Sequence, residues 1–200
     1  MSKYHRPQKW FEAIVDKLGG EDSAMSFLRG ELIVVPNPSC FLVWKTIRIG
    51  TGLKTPDEFQ SALKYMGMKI GAWGKDLLGR PSFSVSEEET ELDLVNVSVG
   101  ELGFFNNTSL LDIFQKVLDF GLQLCPAEVG PQLRLQHTNQ PKRQWLMIGM
   151  EPIIGSDGNP YIFFVAEGHD EHWLHAHHGE FGRLWDANKR FIFVRPRQIT

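Results

Sequence analysis

From Gln132 to Arg195 apolar residues recur at about every second position, and short clusters of turn-forming residues interrupt them. An extended backbone puts alternate side chains on opposite faces, so this period predicts half-buried strands. Segments 132–137, 145–151, 161–167, 171–177 and 190–195 carry it, with Asn139-Gln140-Pro141-Lys142, Ser156-Asp157-Gly158-Asn159 and Gly168-His169-Asp170 between the first four. Asp157-Gly158 fits a two-residue hairpin turn, whose centres both take positive φ. Segments joined in this way predict an antiparallel β-meander of about five strands.

The chain before this region is mostly helical. Thr108 and Ser109 are N-cap residues, Asp112 sits in the first turn, and Leu110, Ile113, Phe114, Val117, Leu118 and Leu122 form one buried stripe over 109–124. Pro126 ends that helix, and Cys125 to Pro131 forms a bend that carries Glu128 into the strand expected at 132–137. Thr55-Pro56-Asp57-Glu58 starts another helix, because threonine caps, proline fits the first turn and the acids favour the positive end. A shorter helix follows over 70–78, and strands are expected at 41–49 and 92–99. Residues 7–18 and 21–29 read as two short helices broken by Gly19-Gly20. The hinge expected at 34–39, with two prolines, separates a small helical arm over 1–35 from a main domain over 41–200. The fold class is α+β, helices first and sheet last.

Composition narrows the function. A net charge of −3 gives no whole-chain field for nucleic acid or acidic membranes, and no segment approaches the ~20 apolar residues of a membrane helix. Two cysteines, Cys40 and Cys125, form no C-x-x-C pair, and the N-terminus lacks a signal-peptide core, which points to reduced thiols and a cytoplasmic protein. No nucleophile elbow, phosphate loop or dinucleotide fingerprint is present.

Pairing the expected hairpins sorts residues onto two faces. If the turn centres at Asp157-Gly158, Ile148 faces Glu167; if Gly168 to Asp170 is a three-residue loop, Val165 faces Trp173. One face then gathers Leu133, Leu135, Trp145, Met147, Ile162, Phe164, Ala166, Leu174 and Ala176 as core. The other gathers Arg134, Glu167, Trp173, His175 and His177, an amphipathic surface. Glu128, Arg134, Glu167, Trp173 and His175 are therefore the candidate binding residues. The leading reading is a non-enzymatic binding or interaction module for a protein or small anionic ligand, with no cofactor. One alternative is a hydrolase, nuclease- or phosphoesterase-like, using Glu128, Arg134 and Glu167, with a divalent metal on His175 and His177 in a metal-assisted form. Another is nucleic-acid binding through the arm and the basic end at Arg190, Arg195 and Arg197, which the near-neutral charge disfavours.

Leu18 to Asp22 with Leu28 to Leu32, Trp44 to Ile47 with Gly52 to Thr55, Cys125 to Gln136, and Trp185-Asp186-Ala187 before Arg190 to Arg195 are together similar to an uncharacterised family of small soluble bacterial proteins. The resemblance covers most of the chain and implies a soluble bacterial protein; it brings no activity, ligand or fold. The histidine-rich stretch 169–178 departs from the family pattern, where aromatic residues are more usual.

Overall fold

The structure, a computed structural model of the chain, describes residues 8–31, 41–168 and 171–197. The expected hinge at 34–39, Cys40 and the His169-Asp170 turn lie outside the described residues. Two compact units divide the chain, Met1–Pro36 and Asn37–Thr200. In the first, α1 (Gln8–Lys17) and α2 (Glu21–Leu28) meet at Gly19 and Gly20, whose φ values of 92° and 103° suit residues without a Cβ. No residue of α2 is buried, and Leu28 is 73% exposed.

The second unit contains β1 (Lys45–Ile49), α3 (Pro56–Tyr65), β2 (Lys69–Ile70), α4 (Ala72–Leu78), β3 (Thr90–Ser98), β4 (Thr108–Ser109) and α5 (Leu110–Asp119). It continues with α6 (Val129–Gln136), β5 (Trp145–Ile148), β6 (Ile153–Ile154), β7 (Pro160–Gly168), β8 (Glu171–His178), β9 (Leu184–Trp185) and β10 (Arg190–Arg195). The capping chemistry acts as the sequence indicates. Thr55 and Glu58 form a reciprocal capping box on α3, and the Ser109 hydroxyl accepts from the Asp112 amide at the start of α5.

The class is α+β, but the sheet is mixed rather than a C-terminal meander. Its strands run in the order β1-β3-β10-β5-β7-β8-β2, with β6 also beside β7. β10 pairs β5 in parallel and β2 pairs β8 in parallel, so N-terminal strands form both edges. β4 and β9 make a separate pair.

Three expectations about this region are corrected. Residues 132–137 are not a strand: Val129–Gln136 is helix α6, and the Gln132 amide donates to the Glu128 carbonyl at 3.1 Å. Five alternating residues are too few to separate a period of 2 from 3.6. Pro131 falls in the first turn, where its missing N–H leaves no helix bond unmade. Gly130 fits because a Cβ there would lie 2.8 Å from the Phe163 ring, so the helix backbone rests directly on the sheet.

The hairpin at Asp157-Gly158 also differs. Gly158 alone has positive φ, at 83°, its amide donates to the Gly155 carbonyl, and Asp157 Oδ1 accepts from the Asn159 amide. This three-residue loop joins β6 to β7, so β5 meets β7 with Met147 opposite Phe164 rather than Ile148 opposite Glu167. Finally, Gly168 lies opposite Glu171 and Val165 opposite Leu174, one residue from the expected register. A slip of one residue carries a whole strand's side chains to the other face.

The corrected register yields one face of Leu146, Ile148, Tyr161, Phe163, Val165, Leu174 and Ile192, on which α6 lies. The opposite face holds Trp145, Met147, Ile162, Phe164, Ala166, Phe191 and Phe193 together with Trp173, His175 and His177. α5 covers part of it through Phe114 against Phe193, ring centroids 6.2 Å apart. Trp185 of β9 covers more, 5.1 Å from Phe191 and 5.0 Å from His177. Beyond Trp185 a cleft opens over β5, β7 and β8, with Phe164 and Ala166 buried at its base.

Candidate functional site

Three strands supply that open surface with rings at neighbouring positions. Trp145 of β5 stacks on Phe164 of β7 (centroids 5.1 Å, planes 19° apart), and Phe164 stacks on His175 of β8 (5.3 Å, 13°). His175 in turn stacks on Trp173 (4.9 Å, 16°), two residues along the same strand. Cross-strand neighbours on one face stand close enough for aromatic contact, and offset stacking suits their quadrupoles. Trp145, at the end of the row, is 52% exposed, whereas Phe164 is 6% exposed. The row borders a cleft of about 390 Å³ that reaches Ala166 and Glu171.

His175 is held from the sheet edge by Gly71, just before α4. A Cβ at Gly71 would fall 2.0 Å from His175 Nδ1, so the absent side chain makes room for the ring. Burial holds the His175 pKa below its ordinary value, and the ring is neutral at pH 7. His177 is lowered as well, first by burial and then by the charges of Arg183, His178 and Lys189, partly offset by its bond to the His178 carbonyl. His175 and His177 do share a face. Among the described residues, however, no group of three His, Cys, Asp or Glu could hold a metal ion.

Of the other candidate residues, Glu167 also lines this cleft, whereas Glu128 and Arg134 lie elsewhere. Glu128 is fully buried at the start of α6, where Oε1 accepts from the Gly50 amide at 2.8 Å and from Gln132 Nε2 at 2.9 Å, and Oε2 accepts from the Ser86 amide at 2.8 Å. Gln136, two turns on, exchanges both amide bonds with the backbone of Arg48, at 2.9 and 2.7 Å. Glu128, Gln132 and Gln136 thus form an i, i+4, i+8 polar stripe along the outer edge of β1. Side chains supply the partners that a further strand would have supplied, and the edge is closed.

Arg134 points away from the ring row. It lies in α6 on the helix-covered side, with no exposed surface. Its Nη1 donates to Gln140 Oε1 at 2.6 Å, and its Nη2 donates to the His137 carbonyl at the end of its own helix. Burial lowers its pKa to about 10. Glu167, 3% exposed, accepts at Oε2 from the Arg143 amide at 3.0 Å and helps to hold Arg143 at a φ of 61°. Arg134 and Glu167 both brace the 137–144 loop and form no ion pair with each other among the described residues. The cysteine is equally occupied: the Cys125 thiol donates to the Ile192 carbonyl at 3.3 Å, and burial pushes its pKa up.

Sequence reasoning placed Trp173 and His175 on an open face and assigned Trp145 and Phe164 to the core; Phe164 is buried there, but Trp145 is 52% exposed. Alternating aromatic residues on a strand signal burial as readily as a binding ledge. The basic end is also paired. Arg190 bonds Asn96 and Glu101, Arg195 donates to the Phe41 carbonyl, and Arg197 bonds Asp93 and Glu91.

His137 carries a measurable consequence. It is 6% exposed and packs edge-on against Trp44 at 5.0 Å. Burial, then the charges of Lys45 and Arg134, lower its pKa from 6.5 to about 4. Between those values the unfolded chain binds a proton that the folded chain refuses, so stability falls as pH drops through that window. The loss amounts to about 3 kcal/mol by pH 4. Urea unfolding of the wild type and of His137→Phe across pH 4–7 checks this. The variant should lose that part of the slope, and an unchanged slope would assign the acid sensitivity to other groups.

No helix among the described residues is long and apolar enough to cross a membrane. Comparison with protein-family models, with curated proteins and with solved structures finds no match to this chain.

Proposed function

We propose that this protein is a binding module that holds a small ligand with a planar ring on the open sheet face formed by Trp145, Phe164, Trp173 and His175. The observation that carries the reading is the unbroken ring stack across three strands, ending in an indole that is 52% exposed. Stacking large apolar rings leaves their outer faces costly to hydrate, and a flat ligand recovers that surface without rearranging the protein. Rigid side chains add to this, because Phe164 is packed on both sides and His175 is fixed against Gly71. A preformed surface of this kind has little ordering entropy to lose on binding.

The hydrolase reading has no comparable support. Glu128, Arg134 and Glu167 each bond structural partners, on the edge of β1 or around the 137–144 loop.

The test is quenching of tryptophan emission in the full-length protein by planar heteroaromatic probes, with adenosine as the first. Stacking on one aromatic side chain contributes ~1–3 kcal/mol, so Trp145→Ala should weaken binding about 5- to 150-fold. His175→Ala should also weaken it, by removing the support behind Phe164. If no planar probe binds, or if both variants bind as the wild type does, the reading is wrong.

A further inference from the structure

Trp145 borders a second cleft on the side away from Phe164. This cleft, of about 470 Å³, is lined by Arg143, Gln144, Trp145, Asn188, Lys189 and Arg190. It lies where β5 and β10 begin side by side in parallel, so the segments leading into both strands converge on it. Three of its six lining residues are cations and none is an acid, in a chain whose net charge is −3.

The three cations have different roles. The Arg190 guanidinium is turned to Asn96 and Glu101, at 2.7 and 3.1 Å, so its charge is largely neutralised. Lys189 and Arg143 are exposed. Glu167 engages Arg143 through its backbone amide, which fixes where that side chain leaves the chain. Lys189 and Arg183 also act against protonation of His177, which lies on the same sheet face as the ring row. Arg183 also lies over the Trp185 ring at 5.8 Å.

We propose that this cleft receives the anionic group of the ligand, a phosphate or carboxylate attached to a planar ring that rests on Trp145. The inference builds on the ring-stacking reading and adds the ligand's charge and the direction in which it extends. A guanidinium and an ammonium differ in how they meet such a group: the fork of Arg143 suits two oxygens at once, while Lys189 acts as a point charge. Trp145 then joins an apolar platform on one side to a cationic socket on the other, and the ligand class is a small aromatic anion such as a nucleoside monophosphate.

The experiment compares adenosine monophosphate, adenosine and inorganic phosphate by emission quenching and calorimetry on the full-length protein, wild type, Lys189→Met and Arg143→Gln. The expected result is that the monophosphate binds about 10-fold more tightly than adenosine at low salt, a gain that added salt reduces. Each variant should remove most of that gain and leave adenosine binding unchanged. Equal binding of adenosine and its monophosphate, with both variants neutral, would overturn the anion socket while the ring platform stands. Phosphate alone binding as tightly as the monophosphate would overturn the joint site. Failure of all ring probes would remove the platform and the socket together.

Discussion

Glu128→Ala should destabilise the main unit by about 4 kcal/mol, because it leaves the donors of Gly50, Ser86 and Gln132 without their carboxylate acceptor. The carboxylate accepts from the backbone of Gly50 and Ser86 and from Gln132, and it has no exposed surface. Gly50 cannot move aside: its φ is 66°, and a Cβ there would meet the Glu88 carbonyl oxygen at 2.1 Å, so its backbone is locked against 88–89. Glu128→Gln keeps the volume and one acceptor but turns an NH₂ toward a backbone N–H, and it should cost about half as much. Urea titration with unchanged m-value measures both. A loss under ~1 kcal/mol for the alanine variant would mean that water or a shifted loop satisfies these donors, and that the stripe on α6 does not close the edge of β1.

Arg134→Ala should have an effect of similar size, about 4 kcal/mol, from a different cause. The arginine is the largest fully buried side chain, so its removal leaves a void and three acceptors, on Gln140, His137 and Ala166, without their donor. Burying the guanidinium is itself costly, as its lowered pKa near 10 reflects, and its Nε has no partner. Arg134→Met refills most of the volume and relieves that desolvation, so it should cost only about 1–2 kcal/mol. The same variant should leave binding of ring probes unaltered, because Arg134 lies under α6 on the covered side of the sheet. If Arg134→Met abolishes ring binding in a protein that remains folded, the separation of Arg134 from the ring platform is wrong.

These two residues also show where sequence reading stops. Arg134 lies in a segment with the outward signs of a strand and Glu128 in the bend before it, and a strand would have turned Arg134 to the surface beside Trp173 and His175. The helix turns it inward, because only Gly130 against Phe163 lets α6 approach closely enough to bury its whole first turn. Nothing within residues 128–136 announces that contact. Trp145 and Phe164 illustrate a second difficulty: their common face was visible, but that Trp173 and His175 join it depended on a β7–β8 pairing one residue different from the expected one.

The sequence by itself determined the local elements. The caps at Thr55 and Ser109, the stripe of Leu110, Ile113, Phe114 and Val117, and the apolar runs of β7 and β10 are short-range preferences of the backbone and of nearby side chains. Tertiary structure alone decided which strands became neighbours. It placed β10 beside both β3 and β5, set His175 against Phe164, and closed the edge of β1 with side chains from α6. Neighbourhood in a sheet is a contact between distant parts of the chain. A one-residue change in register leaves every local preference satisfied while it exchanges the covered face for the open one.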